Sequence, residues 1–150
     1  MIEIRQLTAD DVPVMHALLT MFADAFDDQQ SYSGNRPREE YLKRLLGSDS
    51  FIALAAVKGE AVVGGLAAYE LKKFEQERSE MYIYDLAVAL DYRRQGIATA
   101  LIGKLRELAA DRGAYVVFVQ ADTGIEDQAA IALYTRLGRR QEVLHFDIGV

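Results

Sequence analysis

Residues 89–102 read ALDYRRQGIATALI. Ile97 and Leu101, followed by Leu105 and Leu108, recur at helical spacing, so a helix begins near Gly96 and runs to about 112. Two arginines, Arg93 and Arg94, stand at its start. A cation there faces the positive end of the helix macrodipole, which costs roughly 0.3–1 kcal/mol per charge. The chain as a whole is acidic, with 23 Asp and Glu against 17 Lys and Arg and a net charge of −6, so the pair does not belong to a generally basic surface. A polyphosphate seated on the free amides of the first helical turn reverses the argument, because the arginines then pair with it. Gly96 lets such a ligand approach the backbone closely. The alternative is a loop with two solvated arginines. Two other phosphate motifs are excluded: there is no G-x-G-x-x-G, and Gly103-Lys104 has the wrong spacing for a P-loop and no Ser or Thr after the lysine.

Outward from this turn the chain alternates strands and helices. MYIYDLAV (81–88) reads as a strand leading into it, and AYVVFVQA (114–121) as a strand buried on both faces. Upstream, IEIRQL (2–7) alternates like a strand. A helix follows with Met15, Leu18, Leu19, Phe22 and Phe26 on one stripe and Asp10 as its expected N-cap. DDQQSYSGNRP (27–37) is the most loop-like stretch, and REEYLKRLL (38–46) a short helix. FIALAAV (51–57) and AVVGGLAAYEL (61–71) flank Lys58-Gly59-Glu60 as a hairpin, with Gly64 and Gly65 marking a bulge or close backbone packing. EDQAAIALYTRLG (126–138) reads as a helix closed by Gly138, and EVLHFDI (142–148) as a final strand. The order is β-α-α-β-β-β-α-β-α-β, one mixed α/β domain spanning 1–150 with no repeat or linker.

Composition removes several classes of function. A chain of 150 residues with 51% hydrophobic and 27% charged residues is an ordinary globular domain. The absence of cysteine excludes disulfides, thiolate metal sites and a cysteine nucleophile. With only His16 and His145, no histidine-based metal site is expected. The acidic balance argues against nucleic acid as a partner and suits a cationic substrate. The N-terminus has no long apolar run, so a cytoplasmic protein with no membrane association is expected.

RRQGIA (93–98) matches the R/Q-x-x-G-x-G/A signature of the GCN5-related N-acetyltransferases (GNATs), and ALYTRLG (132–138) resembles that family's A-x-L-Y-x-x-x-G helix. FIALAA, EAVVGGLAAY, SEMYIYDLAV, AYVVFVQAD and HFDI further resemble the aminoglycoside 3-N-acetyltransferases of type I, the gentamicin-modifying branch. The resemblance implies an α+β GNAT fold with a mixed, mostly antiparallel sheet flanked by helices. It implies acetyl-CoA as co-substrate, no metal, and direct attack of an amine on the thioester. The pyrophosphate would lie on Arg93, Arg94, Gln95, Gly96, Ile97, Ala98 and Thr99, and the pantetheine arm on the amides of Leu86, Ala87 and Val88. Asp127 and Ala130 are carried over as further cofactor positions. Asp127 stands where asparagine is common, and Arg139 where phenylalanine is usual.

Direct transfer needs a deprotonated amine, oxyanion stabilisation and a proton for the thiolate. Strict alternation puts Asp85 on the apolar face of Met81, Ile83 and Ala87, where desolvation raises a carboxylate's pKa and makes it a better base or an ammonium anchor. Glu80, on the other face, is the alternate base through a water. The resemblance places Tyr134 as general acid. Substrate contacts are expected from Asp85, Tyr84, Asp122 and Asp147, with His145 two residues from the last, among a wider set of acids that includes Asp24, Asp27, Asp28, Glu126 and Glu142. The substrate implied is a gentamicin-type aminoglycoside acetylated on its 3-amino group, a reaction that would confer antibiotic resistance. Another cationic amine, such as a polyamine or a peptide amine, and a non-catalytic CoA-binding module are the alternatives. A homodimer through edge strands is compatible with the fold.

Overall fold

The structure is a computed structural model describing residues 1–150. It divides into two compact units, 1–119 and 120–150.

The first unit is built on a five-stranded sheet in the order β1-β2-β3-β4-β5. The strands are β1 (Glu3–Gln6), β2 (Phe51–Lys58), β3 (Ala61–Lys72), β4 (Ser79–Val88) and β5 (Ala114–Val119). All pairs are antiparallel except β4 with β5. The helices are α1 (Val12–Ala25), α2 (Glu39–Leu46) and α3 (Ile97–Asp111). α1 is capped by Asp11 rather than Asp10, with Pro13 just inside the first turn. The Asp11 carboxylate instead accepts from the Thr8 amide and ion-pairs with Arg5 at 2.8 Å, tying the helix start to β1.

Two adjacent glycines assign the faces of the sheet. A Cβ on Gly65 would collide with Leu18 Cδ1 of α1, whereas one on Gly64 would press on Ile97 of α3. From Gly64 onward β3 therefore turns its odd residues toward α1 and its even ones toward α3, and the close packing anticipated at this Gly pair is what the glycines provide. On the α1 side, Leu18, Phe22 and Leu42 are buried with Ala53, Ala55 and Ala67. On the α3 side lie Leu54, Leu66, Met81, Leu101 and Leu105, each almost fully buried. A large apolar side chain so buried stabilises the fold by about 1.5–3 kcal/mol. The end of α3 is fastened by Arg112, which donates to the buried Glu70 carboxylate at 2.7 Å and to the Asp49 carbonyl.

Two local expectations change. The register of β3 against β4 shifts between Ala67 and Ala68, so that Ala68 faces Ile83, Ala67 faces Asp85, and Tyr84 is the extra residue of a bulge. One inserted residue reverses the alternation beyond it. Asp85 therefore does not share a face with Met81 and Ile83; it lies with Ala87, Tyr82 and Glu80 on the α1 side. The stretch 27–37 is also less irregular than its composition suggests, since Gln30–Gly34 forms a single π-helical turn.

In the second unit, Ile125–Asp127 forms a 3-10 turn and α4 spans Gln128–Leu137. Gly138 ends the helix in an extended conformation (φ −147°, ψ −169°), not the left-handed one a C′ glycine often takes. Residues 142–148 form no strand, contrary to their alternating pattern.

Candidate active site

The turn from β4 into α3 keeps its charges in water. Arg93, Arg94, Gln95 and Gly96 are all exposed, whereas Ile97 is buried beneath them. Arg94 (φ 63°) and Gly96 (φ 81°) both take the left-handed conformation. In glycine this is free; in arginine it costs of order 1 kcal/mol, a strain usually retained at a ligand site. Arg93 turns its Nε to the Val88 carbonyl at 2.9 Å, and the Gln95 amide reaches the Asp91 carbonyl at 3.4 Å. The amides of Ile97, Ala98 and Thr99 open α3 and have no intrahelical acceptor. No atom lies within 4 Å of where a Gly96 Cβ would be, so the approach to these amides is open. This arrangement fits a diphosphate.

The second feature is centred on Asp85. Its Oδ2 accepts from the Tyr32 hydroxyl at 2.9 Å. Burial raises the Asp85 pKa above its ordinary value, and the Tyr32 bond partly opposes that rise. Burial, reinforced by Asp85, raises the pKa of Tyr32 in turn, so its hydroxyl remains a donor. Tyr32 is seated by Phe22 and Phe26, with ring centroids 5.8 and 5.5 Å away. On the sheet, Tyr84 stands edge-on to Tyr69 (5.7 Å) and to Tyr82 (5.8 Å). Tyr69 and Tyr82 line an open cavity of about 430 Å³ together with Tyr84, Ser50, Glu70 and Leu71. A carboxylate beside several aromatic rings is a receptor for an ammonium group, held by charge and by the ring faces.

Glu80 lies on the same face but four ladder positions away, about 13 Å at strand spacing. It accepts from the Tyr115 hydroxyl at 2.7 Å and pairs with Lys73 at 3.4 Å. Its pKa is lowered, first by the Tyr115 hydrogen bond. Asp24 and Asp28 serve the turn before Tyr32, accepting from the Gln29 side chain (2.9 Å) and the Ser31 amide (3.0 Å).

In the second unit, Asp127 caps the start of α4, and its carboxylate accepts from the Asp122 amide at 2.8 Å. Tyr134 is half-buried one helix face along. Its pKa is pushed up to about 12, by burial first and then by Asp127. Asp147 pairs with His145 at 2.9 Å on the exposed C-terminal segment. No group of three or more His, Asp or Glu side chains is arranged to hold a metal ion, and no helix is long and apolar enough to cross a membrane.

The family model described as the acetyltransferase (GNAT) family matches residues 15–138. The chain belongs to the GNAT acetyltransferase family. Among curated relatives of this GNAT chain, an uncharacterised N-acetyltransferase of Methanocaldococcus jannaschii is 31% identical over 141 residues, covering 90% of this chain and 59% of its own length. N-acetyltransferase 8 of Mus musculus is 30% identical over 120 residues, covering 71% of this chain and 52% of its own. The chain thus spans only half to three-fifths of these relatives. Solved structures match over the full length. An aminoglycoside acetyltransferase from an uncultured soil metagenomic sample is 65% identical, with a TM-score of 0.99 over 100% of this chain and 99% of its own. A second aminoglycoside acetyltransferase from such a sample, in complex with sisomicin, is 30% identical, with a TM-score of 0.90 over 99% and 96%.

Within the first unit of this GNAT domain, the fold brings Asp85 and Tyr84 together with the backbone of Leu86, Ala87 and Val88, just ahead of the Arg93–Thr99 turn. Tyr32 and Tyr69 were missed by sequence reasoning. A signal existed for the first: Tyr32 is a lone aromatic in the otherwise polar stretch 27–37. Tyr69 reads as an ordinary strand residue.

Proposed function

We propose that this chain transfers the acetyl group of acetyl-CoA to the 3-amino group of a gentamicin-type aminoglycoside, inactivating the antibiotic. The observation that carries the reading is the half-buried Asp85 carboxylate, which accepts from the Tyr32 hydroxyl and whose charge is felt by Tyr69 and Tyr82, the rings that flank Tyr84. An aminoglycoside offers several ammonium groups on a compact sugar scaffold, which suits one desolvated acid with aromatic walls on an acidic protein. The two metagenomic aminoglycoside acetyltransferases support the substrate class.

In this reading the Arg93–Thr99 turn holds the diphosphate of acetyl-CoA, and the amides of Leu86–Val88 line the pantetheine arm. Asp85 takes the proton from the attacking ammonium group; its raised pKa makes that transfer less uphill. The neutral amine adds to the thioester carbonyl, and the tetrahedral oxyanion collapses with loss of the C–S bond; the thiolate takes a proton from Tyr134, the general acid the resemblance implies, whose hydroxyl is fully protonated at neutral pH, and the second proton shed by the new amide nitrogen replaces it. Asp85 is favoured over Glu80 as the base because Glu80 is already engaged by Tyr115 and Lys73. Asp127 and Ala130 contribute cofactor contacts and Asp147 a substrate contact, as carried over from the resemblance, with Asp122 a further substrate contact as one of the acids suited to a cationic amine.

The test is mass analysis of gentamicin and sisomicin after incubation with the chain and acetyl-CoA, with the acetylated nitrogen located by NMR. One acetyl group on the 3-amino nitrogen is the expected product. Turnover that prefers a polyamine, or acetylation of a different nitrogen, overturns the substrate assignment. Thermal stabilisation by acetyl-CoA with no turnover on any amine overturns the catalytic one.

A further inference from the structure

We propose that Arg36 is a positioning residue for the amine site: its guanidinium clamps the turn Gln30–Gly34 to α1 and thereby holds the Tyr32 hydroxyl on Asp85. This role bears on acetyl transfer through the proposed assignment of Asp85 as base. Every nitrogen of the guanidinium fork is engaged. Nη1 lies 3.3 Å from His16 Nδ1, and Nη2 donates to the Thr20 hydroxyl at 2.5 Å and to Ser33 Oγ at 3.4 Å. Nε donates to the carbonyl of Tyr32 itself at 3.4 Å. His16 and Thr20 stand one turn apart on α1, whereas Tyr32 and Ser33 belong to the turn. One half-buried side chain thus spans both elements.

The acceptors suit a cation. The Thr20 hydroxyl gives its one proton to the His16 carbonyl at 3.1 Å, which leaves its lone pairs for Arg36. A guanidinium has no lone pair, so His16 Nδ1 accepts, and the tautomer that fits carries its proton on Nε2. The turn itself is held loosely. It is a single π-helical turn, and the Tyr32 amide reaches the Asp28 carbonyl only at 3.4 Å. Phe22 and Phe26 seat the Tyr32 ring, but ring packing is not directional enough to aim a hydroxyl at one carboxylate oxygen. Asp24 and Asp28 hold the start of the segment, at Gln29 and Ser31, and Arg36 holds its far end. The Asp85 pKa answers to burial and to the Tyr32 bond, so Arg36 reaches it through Tyr32. Loosening the clamp withdraws a donor from the charged carboxylate and raises that pKa further.

NMR titration of the Asp85 carboxyl carbon in the full chain reads this without any turnover. Arg36→Met keeps an apolar stem and removes the donors; Arg36→Lys keeps the charge and removes the fork. Both should raise the Asp85 pKa by at least about 0.5 pH unit, in the direction of Tyr32→Phe. In a Tyr32→Phe background neither should add to the rise, because the bond through which they act is gone. Asp28, His16, Tyr69, Tyr82 and Tyr84, the other titratable groups around the pair and its clamp, are the same residues in every variant. Imidazole nitrogen shifts of the parent in mildly alkaline solution should place the His16 proton on Nε2. Should Arg36→Met not fold, Arg36→Lys carries the same test. An unmoved carboxyl, an Arg36→Lys chain that titrates like the parent, an equal rise in the Tyr32→Phe background, or a His16 proton on Nδ1 each overturns the proposal. The acidic limb of kcat/KM separates this role from the base assignment. A limb that follows the carboxyl supports both; a carboxyl that moves while the limb stays supports the clamp and removes Asp85 as base.

Discussion

The Tyr32 hydroxyl, from a helical turn between α1 and α2, donates to Asp85 on the central strand at 2.9 Å, across 53 residues of sequence. The bond favours the charged carboxylate and works against burial, which favours the neutral acid. Tyr32→Phe keeps the ring and its packing on Phe22 and Phe26 but removes that donor. The Asp85 pKa should then rise further, and the acidic limb of the kcat/KM profile should move to higher pH. A hydrogen bond to a charged group contributes about 1.5–3 kcal/mol, so the displacement expected is roughly one to two pH units. A profile that does not move would show that Asp85 is not the group whose ionisation limits the reaction.

Asp85 is also where activity and stability should part. Its folded pKa lies above the ordinary aspartate value, raised by burial. The folded chain therefore binds this proton more tightly than the unfolded chain does. Stability from the group is complete below that value and is lost as pH rises through the folded one. At pH 7 the ionised carboxylate is a net cost, and Asp85→Asn should melt no lower than the parent, while the two converge in acid. Turnover should fall by about 10²–10⁴, the usual contribution of a positioned base. Melting curves at two pH values and steady-state rates read both halves of the prediction.

The bulge at Tyr84 shows where legibility ended. The order of elements through β5 and α4, the hairpin at Gly59 and the close-packed Gly64-Gly65 pair could all be read from period and turn chemistry, which are local properties. The face of Asp85 could not. A bulge is a property of two paired strands, and nothing in MYIYDLAV marks the residue left out of the ladder. The same limit explains 142–148. Alternation states that a segment can be a strand, but the ladder partner decides whether it is one. Tyr32 escaped because its role depends on a residue 53 positions away, whereas the Arg93–Gly96 turn was legible because its oddity was local.

Gly96 tests the diphosphate turn. Its φ of 81° is disfavoured for any residue with a Cβ, while the space around that Cβ is empty. The effect of Gly96→Ala therefore comes from the backbone alone. A stability loss of about 1–2 kcal/mol is expected, with the KM for acetyl-CoA raised and that for the amine little changed. Isothermal titration with coenzyme A gives the binding loss directly. Unchanged affinity would mean that the diphosphate does not sit on this turn.

Two other glycines should respond in opposite directions to the same substitution. Gly65→Ala places a methyl group against Leu18 Cδ1 and within 3.0 Å of the Leu54 carbonyl, in a part of the core where Leu18 and Leu54 are fully buried. Overpacking of this kind costs about 1–3 kcal/mol. The fully buried Leu18 side chain must turn away or α1 must lift off β3, and because α1 leads into the turn that carries Tyr32, lifting would loosen the Asp85 hydrogen bond as well. Gly103 sits inside α3 with nothing within 4 Å of its would-be Cβ. Gly103→Ala should stabilise by roughly 0.5–1 kcal/mol through helix propensity alone, leaving turnover untouched. Urea titrations of the pair should move the midpoint down for Gly65→Ala and up for Gly103→Ala. If Gly65→Ala were neutral, Leu18 would not be held as tightly between α1 and β3 as the structure requires.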